Sequence, residues 1–110
     1  MSDESAETVI CTFRVRAGHE DEMIALCRKH DATLRELGLV TGQPALLYRG
    51  ADEAGQPFLV KIFEWKSAAA LDAARRHPDV QVQWEAMEPH CEARGGQQSM
   101  EFPHVVRIAI

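Results

Sequence analysis

Residues 57–65, PFLVKIFEW, put apolar side chains on both faces of one extended segment. With a period of two, Phe58, Val60 and Ile62 fall on one side and Leu59, Phe63 and Trp65 on the other. A sheet with one wet face alternates apolar and polar residues, so a strand apolar on both faces needs a layer of protein on each. A chain of 110 residues makes one domain of ordinary size. Such a domain buries about two-thirds of its unfolded surface. Its own helices can cover one face of a sheet, but nothing is left over for the second. A second copy of the chain is expected to cover it.

The remaining sequence supplies the partners of this strand. Residues 1–7 read as a solvated tail and 8–110 as a single domain. In TVICTFRVR, Val9, Cys11, Phe13 and Val15 alternate with Ile10, Thr12, Arg14 and Arg16, which predicts a strand. Gly18 ends it, and the acids of HEDE suit a helix N-terminus. Met23, Cys27, His30, Leu34 and Leu37 then recur at spacings of four and three, one stripe of an amphipathic helix closed by Gly38. QPALLYRG and PFLVKIFEW flank ADEAGQ as the arms of a hairpin. Ser67 offers an N-cap to the helix AAALDAARRH. Pro78 stops that helix at His77 and starts a second segment, DVQVQWEAM, in which Val80, Trp84, Met87 and Cys91 share a helical face ending near Pro89. FPHVVRIAI reads as a terminal strand.

The order is β-α-β-β-α-β, with the second helical region broken at Pro78. That is the ferredoxin-like α+β plan. Right-handed crossovers place the helices on one face of a four-stranded antiparallel sheet. Joined with the second copy required by the third strand, it predicts a homodimeric α+β barrel.

A net charge of -5 and a pI of about 5.5 argue against nucleic acid or an anionic membrane as partner. The three cysteines, Cys11, Cys27 and Cys91, are widely spaced and odd in number, so neither a disulfide scaffold nor a zinc cluster is expected. MSDESAE carries no basic or apolar leader pattern, and a reducing cytoplasm is the expected location. His90, Cys91 and Glu92 are adjacent, and adjacent side chains seldom converge on one ion. No metal site is expected.

A glycine after the first strand, an acidic helix start, a strand ending in FEWKS, and then HPDV, a tryptophan and MEP together resemble the antibiotic biosynthesis monooxygenase family, within the dimeric α+β barrel group. The likeness runs from about Val9 to Ile110. It implies a pocket between the sheet and helices of each subunit, and oxygenase chemistry on planar phenolic or polyketide-like compounds without metal or flavin. No cofactor is therefore expected. The sequence departs from the family where related haem-degrading members place asparagine, tryptophan and histidine, since Cys11, Ala74 and Trp84 stand there. The helix histidines of many small members are replaced by Ala74 and Asp79.

Cys11, Phe13, Trp65 and Trp84 are the candidate pocket residues, with the tryptophans as stacking walls for a planar ligand. A core role is the plainer reading of Cys11, Trp65 and Trp84. His77 is the candidate general base, because a histidine titrates near neutrality; a helix boundary is its plainer role. Arg14, Arg16, Arg49, Lys61 and Arg107 make the predicted strands locally basic, and Arg14 and Lys61 are the candidate anion site. Surface ion pairs with Glu64 would explain the same charges. Two other readings use the same pocket: a non-catalytic small-molecule-binding or stress-response barrel, and an isomerase or lactone-processing enzyme.

Overall fold

The computed structural model describes residues 5–110. Residues 1–4 of the expected tail lie outside the described residues, and Glu7, its last expected residue, pairs with Trp65. The strands are β1 (Glu7–Phe13), β2 (Leu46–Ala51), β3 (Pro57–Trp65), β4 (Met100–Glu101) and β5 (His104–Val105). The helices are α1 (Glu20–Glu36), α2 (Ala68–Arg76) and α3 (Pro78–Met87), followed by one 3-10 turn over Glu88–His90. The sheet is antiparallel in the order β2-β3-β1-β4, with β5 also paired to β1. This is the ferredoxin-like α+β arrangement.

Local chemistry sets the boundaries. The Ser67 hydroxyl accepts the Ala70 N–H at 3.0 Å and caps α2. His77 ends α2 in an extended conformation and also caps α3, its Nδ1 accepting the Asp79 N–H at 3.2 Å. Pro78 stands at the first helical position of α3, where its missing N–H costs nothing. Leu37, expected on the buried stripe of α1, is instead its exposed C-cap.

The predicted last strand needs correction. Pro103 has no N–H to give a ladder, so the edge divides into β4 and β5, bridged by the Ile10 N–H donating to the Pro103 carbonyl at 3.0 Å. Pairing ends at Val105, opposite Thr8 near the start of β1. Residues 106–110, with Arg107 among them, lie outside any strand.

The helices cover one face of the sheet. Val9, Cys11 and Phe13 of β1 and Leu59, Lys61, Phe63 and Trp65 of β3 are buried beneath Met23, Cys27, His30 and Leu34 of α1, Ala74 of α2, and Val80 and Met87 of α3. Among the described residues, none covers the opposite face. Cross-strand partners there are Ile10, Ile62 and Leu46 in one row and Thr12, Val60 and Tyr48 in the next. Phe58 lies over Gly50, where a Cβ would stand 2.7 Å from the ring, so any larger residue would have to push the ring aside.

Candidate functional site

A cavity of about 560 Å³ lies between the sheet and the helices, well within the range of small-molecule sites. The strands β1 and β3 lay its floor with Val9, Cys11, Phe13, Lys61, Phe63 and Trp65. The helices roof it with His30, Leu71, Trp84 and Met87, and Met100 and Phe102 close one edge. Arg75, Glu85, Glu88 and His104, all exposed, mark the side that meets solvent.

The walls are aromatic and held in fixed relation. Phe63 and Trp65 meet edge to face, with centroids 4.9 Å apart and planes at 65°. Phe13 and Phe102 do the same at 6.0 Å and 72°. Trp84, half-buried on α3, sits 5.9 Å from the His30 ring. Flat walls of this kind suit a planar guest.

Lys61 is the anomaly. It is 3% exposed, on the same side of β3 as Leu59, Phe63 and Trp65. Its Nζ has no hydrogen-bond partner among the described residues. The nearest opposite charge is Asp31 Oδ1 at 4.0 Å, beyond hydrogen-bond reach. The Phe63 ring lies 4.7 Å below it. Burial lowers the Lys61 pKa from 10.5, and the attraction of Asp31 offsets that only in part. Asp31 is held mainly by Arg35, 3.0 Å away.

His30 is a second buried nitrogen base. Its Nε2 likewise has no hydrogen-bond partner among the described residues. Burial first, and the Lys61 charge second, push its pKa down from 6.5 to about 3, so the ring is neutral at physiological pH. The unfolded chain then takes up this proton before the folded protein does. The stability contributed by neutral His30 is complete above about pH 6.5 and is lost as pH falls toward 3. Each pH unit within that window removes up to about 1.4 kcal/mol. Calorimetry between pH 7 and pH 5 should show a falling melting temperature in the native chain and a flatter profile in His30→Leu; parallel profiles would refute this assignment.

The thiols are inert by the same physics. Burial raises Cys11 to about 12 despite Lys61, and raises Cys27 to about 11. Neither is a ready nucleophile.

The cavity thus gathers Cys11, Phe13, Trp65, Trp84 and Lys61. His77 is not among its lining residues; its Nδ1 is engaged in capping α3. Arg14 also lies elsewhere, ion-paired with Glu101 and donating to the Gln98 carbonyl. Neither Arg14 nor Lys61 pairs with Glu64. That His30 and Lys61 face the same cavity was legible in part: His30 sits on the apolar stripe of α1, and Lys61 occupies an inward position between Leu59 and Phe63.

A ferredoxin-like α+β domain with an aromatic cavity under its helices is the class that fold and site define. No family model and no curated protein sequence matches the chain. Solved structures do. A point variant of SnoaB, a cofactor-independent oxygenase from Streptomyces nogalater, superposes with a TM-score of 0.71 at 16% identity, over 99% of this chain and 97% of that one. A protein described as an antibiotic biosynthesis monooxygenase gives 0.67 at 18% identity, over 94% and 99%. A dimeric ferredoxin-like protein of unknown function from Jannaschia sp. CCS1 gives 0.63 at 17%, over 94% and 100%. The chain shares the fold of antibiotic biosynthesis monooxygenase-like proteins along nearly its whole length.

Proposed function

We propose that the chain is a cofactor-independent small oxygenase that acts, as a homodimer in the cytoplasm, on a planar phenolic or polyketide-like compound held in the cavity. The observation that carries the reading is the Lys61 amine, buried without a hydrogen-bond partner in an aromatic-lined chamber. A buried polar atom without a partner asks for one, and a phenol hydroxyl supplies it. Burial lowers the Lys61 pKa and so favours the unprotonated amine; in that form it accepts the phenol proton, and the resulting ammonium holds the phenolate. Burial disfavours a lone ammonium, and the phenolate formed by the transfer offsets that cost by pairing with it at close range. His30 Nε2 can accept a hydrogen bond from a second substrate hydroxyl when the ring proton is on Nδ1.

The phenolate is electron-rich enough to reduce dioxygen directly. Phenol plus O₂ gives quinone plus water: one oxygen atom enters the ring, the ring C–H and the O–H are lost, and the other oxygen leaves as water. Trp65, Trp84 and Phe63 position the ring and exclude bulk water from this step. SnoaB supports the reading as a cofactor-independent oxygenase of the same fold.

A binding protein without catalysis is the second reading. It is favoured by Ala74 and Asp79, which carry no histidine where many small oxygenases of the resembled family do. The two part on one measurement. With chelator-treated protein and a panel of hydroxynaphthalenes and anthrones, the oxygenase consumes oxygen as its tryptophan fluorescence is quenched. Quenching without oxygen uptake across the panel would rule out the oxygenase and leave the binding and isomerase readings, which proton exchange into the bound ligand separates.

A further inference from the structure

Outside the cavity, the fold brings together side chains that are remote in sequence. His19 is the N-cap residue of α1, Glu22 lies in its first turn, and His90 ends the 3-10 turn after α3. The Nδ1 atoms of His19 and His90 are 3.0 Å apart. One ligand atom from each of His19, Glu22 and His90 lies within 4.8 Å of the others. We propose that these three side chains bind one divalent transition-metal ion of the zinc class, at a site separate from the cavity.

The two Nδ1 atoms lie at hydrogen-bond distance, and the same separation suits two ligands of one ion. Two imidazole nitrogens about 2.0–2.1 Å from one metal, at angles from square to tetrahedral, stand roughly 2.9–3.4 Å apart. The observed separation falls inside that range. Two nitrogens and a carboxylate form a borderline donor set, which selects zinc, cobalt, nickel or copper over the oxygen-seeking calcium and magnesium. Three protein ligands leave a position for water.

The histidines are held by backbone on both sides. The Arg16 N–H donates to the His90 carbonyl at 2.8 Å, and the His19 N–H donates to the Arg16 carbonyl at 2.9 Å. Arg16 Nε donates to the Pro89 carbonyl at 3.1 Å, while its Nη1 lies 3.7 Å from Glu92. The site is therefore assembled before any ion arrives. The positive end of α1 opposes a cation, and the first-turn acids Glu20, Asp21 and Glu22 offset it. None of the three ligands lines the cavity, so the ion would take no part in the proposed oxygenation. Reasoning from sequence neighbours, His90 with Cys91 and Glu92, could not find a set whose second histidine is 71 positions away.

The test uses the full-length chain, stripped with chelator and titrated with Zn²⁺ by calorimetry and with Ni²⁺ by NMR of the histidine rings. One ion per chain at micromolar affinity is expected, with the His19 and His90 ring signals broadening first. Glu22 is exposed, so Glu22→Gln leaves the fold intact and should weaken binding several-fold. His19→Ala combined with His90→Ala should weaken it by more than the roughly 10- to 100-fold that loss of an outer-shell partner costs. The native chain provides a reading even where that double variant fails to fold. Broadening centred on His77 or His104, unchanged affinity in the double variant, or no binding up to millimolar Zn²⁺ would each overturn the site.

Discussion

Lys61→Met is expected to make the protein more stable and, on the proposed oxygenase function, to remove most of its turnover. The native lysine is buried with Asp31 at 4.0 Å and no hydrogen bond, so its desolvation is poorly compensated. Replacing a buried ionic group by an apolar one of similar volume commonly stabilises by about 1–4 kcal/mol. Asp31 keeps Arg35 on its Oδ2 at 3.0 Å, but its Oδ1, buried without a hydrogen-bond partner among the described residues, loses its nearest cation, which trims the gain. The gain depends on pH. The folded pKa lies below the unfolded 10.5, so the unfolded chain binds the extra proton and native stability rises with pH through that interval. Lys61→Met loses this rise, and its advantage is largest on the acid side of the interval. Turnover moves the other way, because removing a general base costs roughly 100- to 10,000-fold. Lys61→Arg separates the two roles of the amine. A guanidinium holds a phenolate but cannot accept a proton, so it should retain ligand binding and lose turnover. Native turnover in Lys61→Met, measured by oxygen uptake, would remove Lys61 from the chemistry.

How far the sequence discloses this molecule depends on whether a feature is periodic or positional. The strands β1 and β3, the stripe of α1, the Ser67 cap and the break at Pro78 are periodic or local signals, and the structure has them. The last strand is not of that kind. FPHVVRIAI alternates well enough to pair, but pairing also needs an opposing strand, and β1 offers none beyond Glu7. The cavity was legible to the extent that Cys11, Phe13, Trp65 and Trp84 belong to inward faces of their elements. The charge inside it was harder to see. A lysine on a strand reads as exposed until register shows it sharing a face with Leu59 and Phe63. His77 illustrates the converse, a histidine next to proline whose ring nitrogen is occupied by a backbone N–H two residues on. The His19–His90 pair lay beyond sequence reasoning altogether, since only the folded loops bring it together.

Val60→Asp is expected to abolish assembly and, with it, most of the stability of the fold. Val60 stands at the centre of β3 on the face without helices, beside Thr12 and Tyr48, with Ile62 and Phe58 two positions along the same face. Tyr48 is 54% exposed and Leu46 47% in the single chain, values that a contiguous apolar face keeps only where something else covers it. Val106 and Ile108, at 76% and 82%, add apolar surface beyond the last paired residue. A twin sheet packed on this face would bury upwards of about 2,000 Å², as obligate interfaces do, and two-fold symmetry would bring the same strand from each subunit to the contact. One substitution then places two carboxylates in the barrel interior. An uncompensated buried charge costs about 3–5 kcal/mol. For a domain of this size that is a fall in melting temperature of more than about 10 °C. Analytical ultracentrifugation at micromolar concentration should show a dimer for the native chain and monomer or aggregate for Val60→Asp. Lys29→Glu, on the exposed side of α1, should leave both mass and melting temperature unchanged. A native chain that sediments as a folded monomer would mean that the apolar face of β3 is tolerated in water, and the barrel would have to be abandoned.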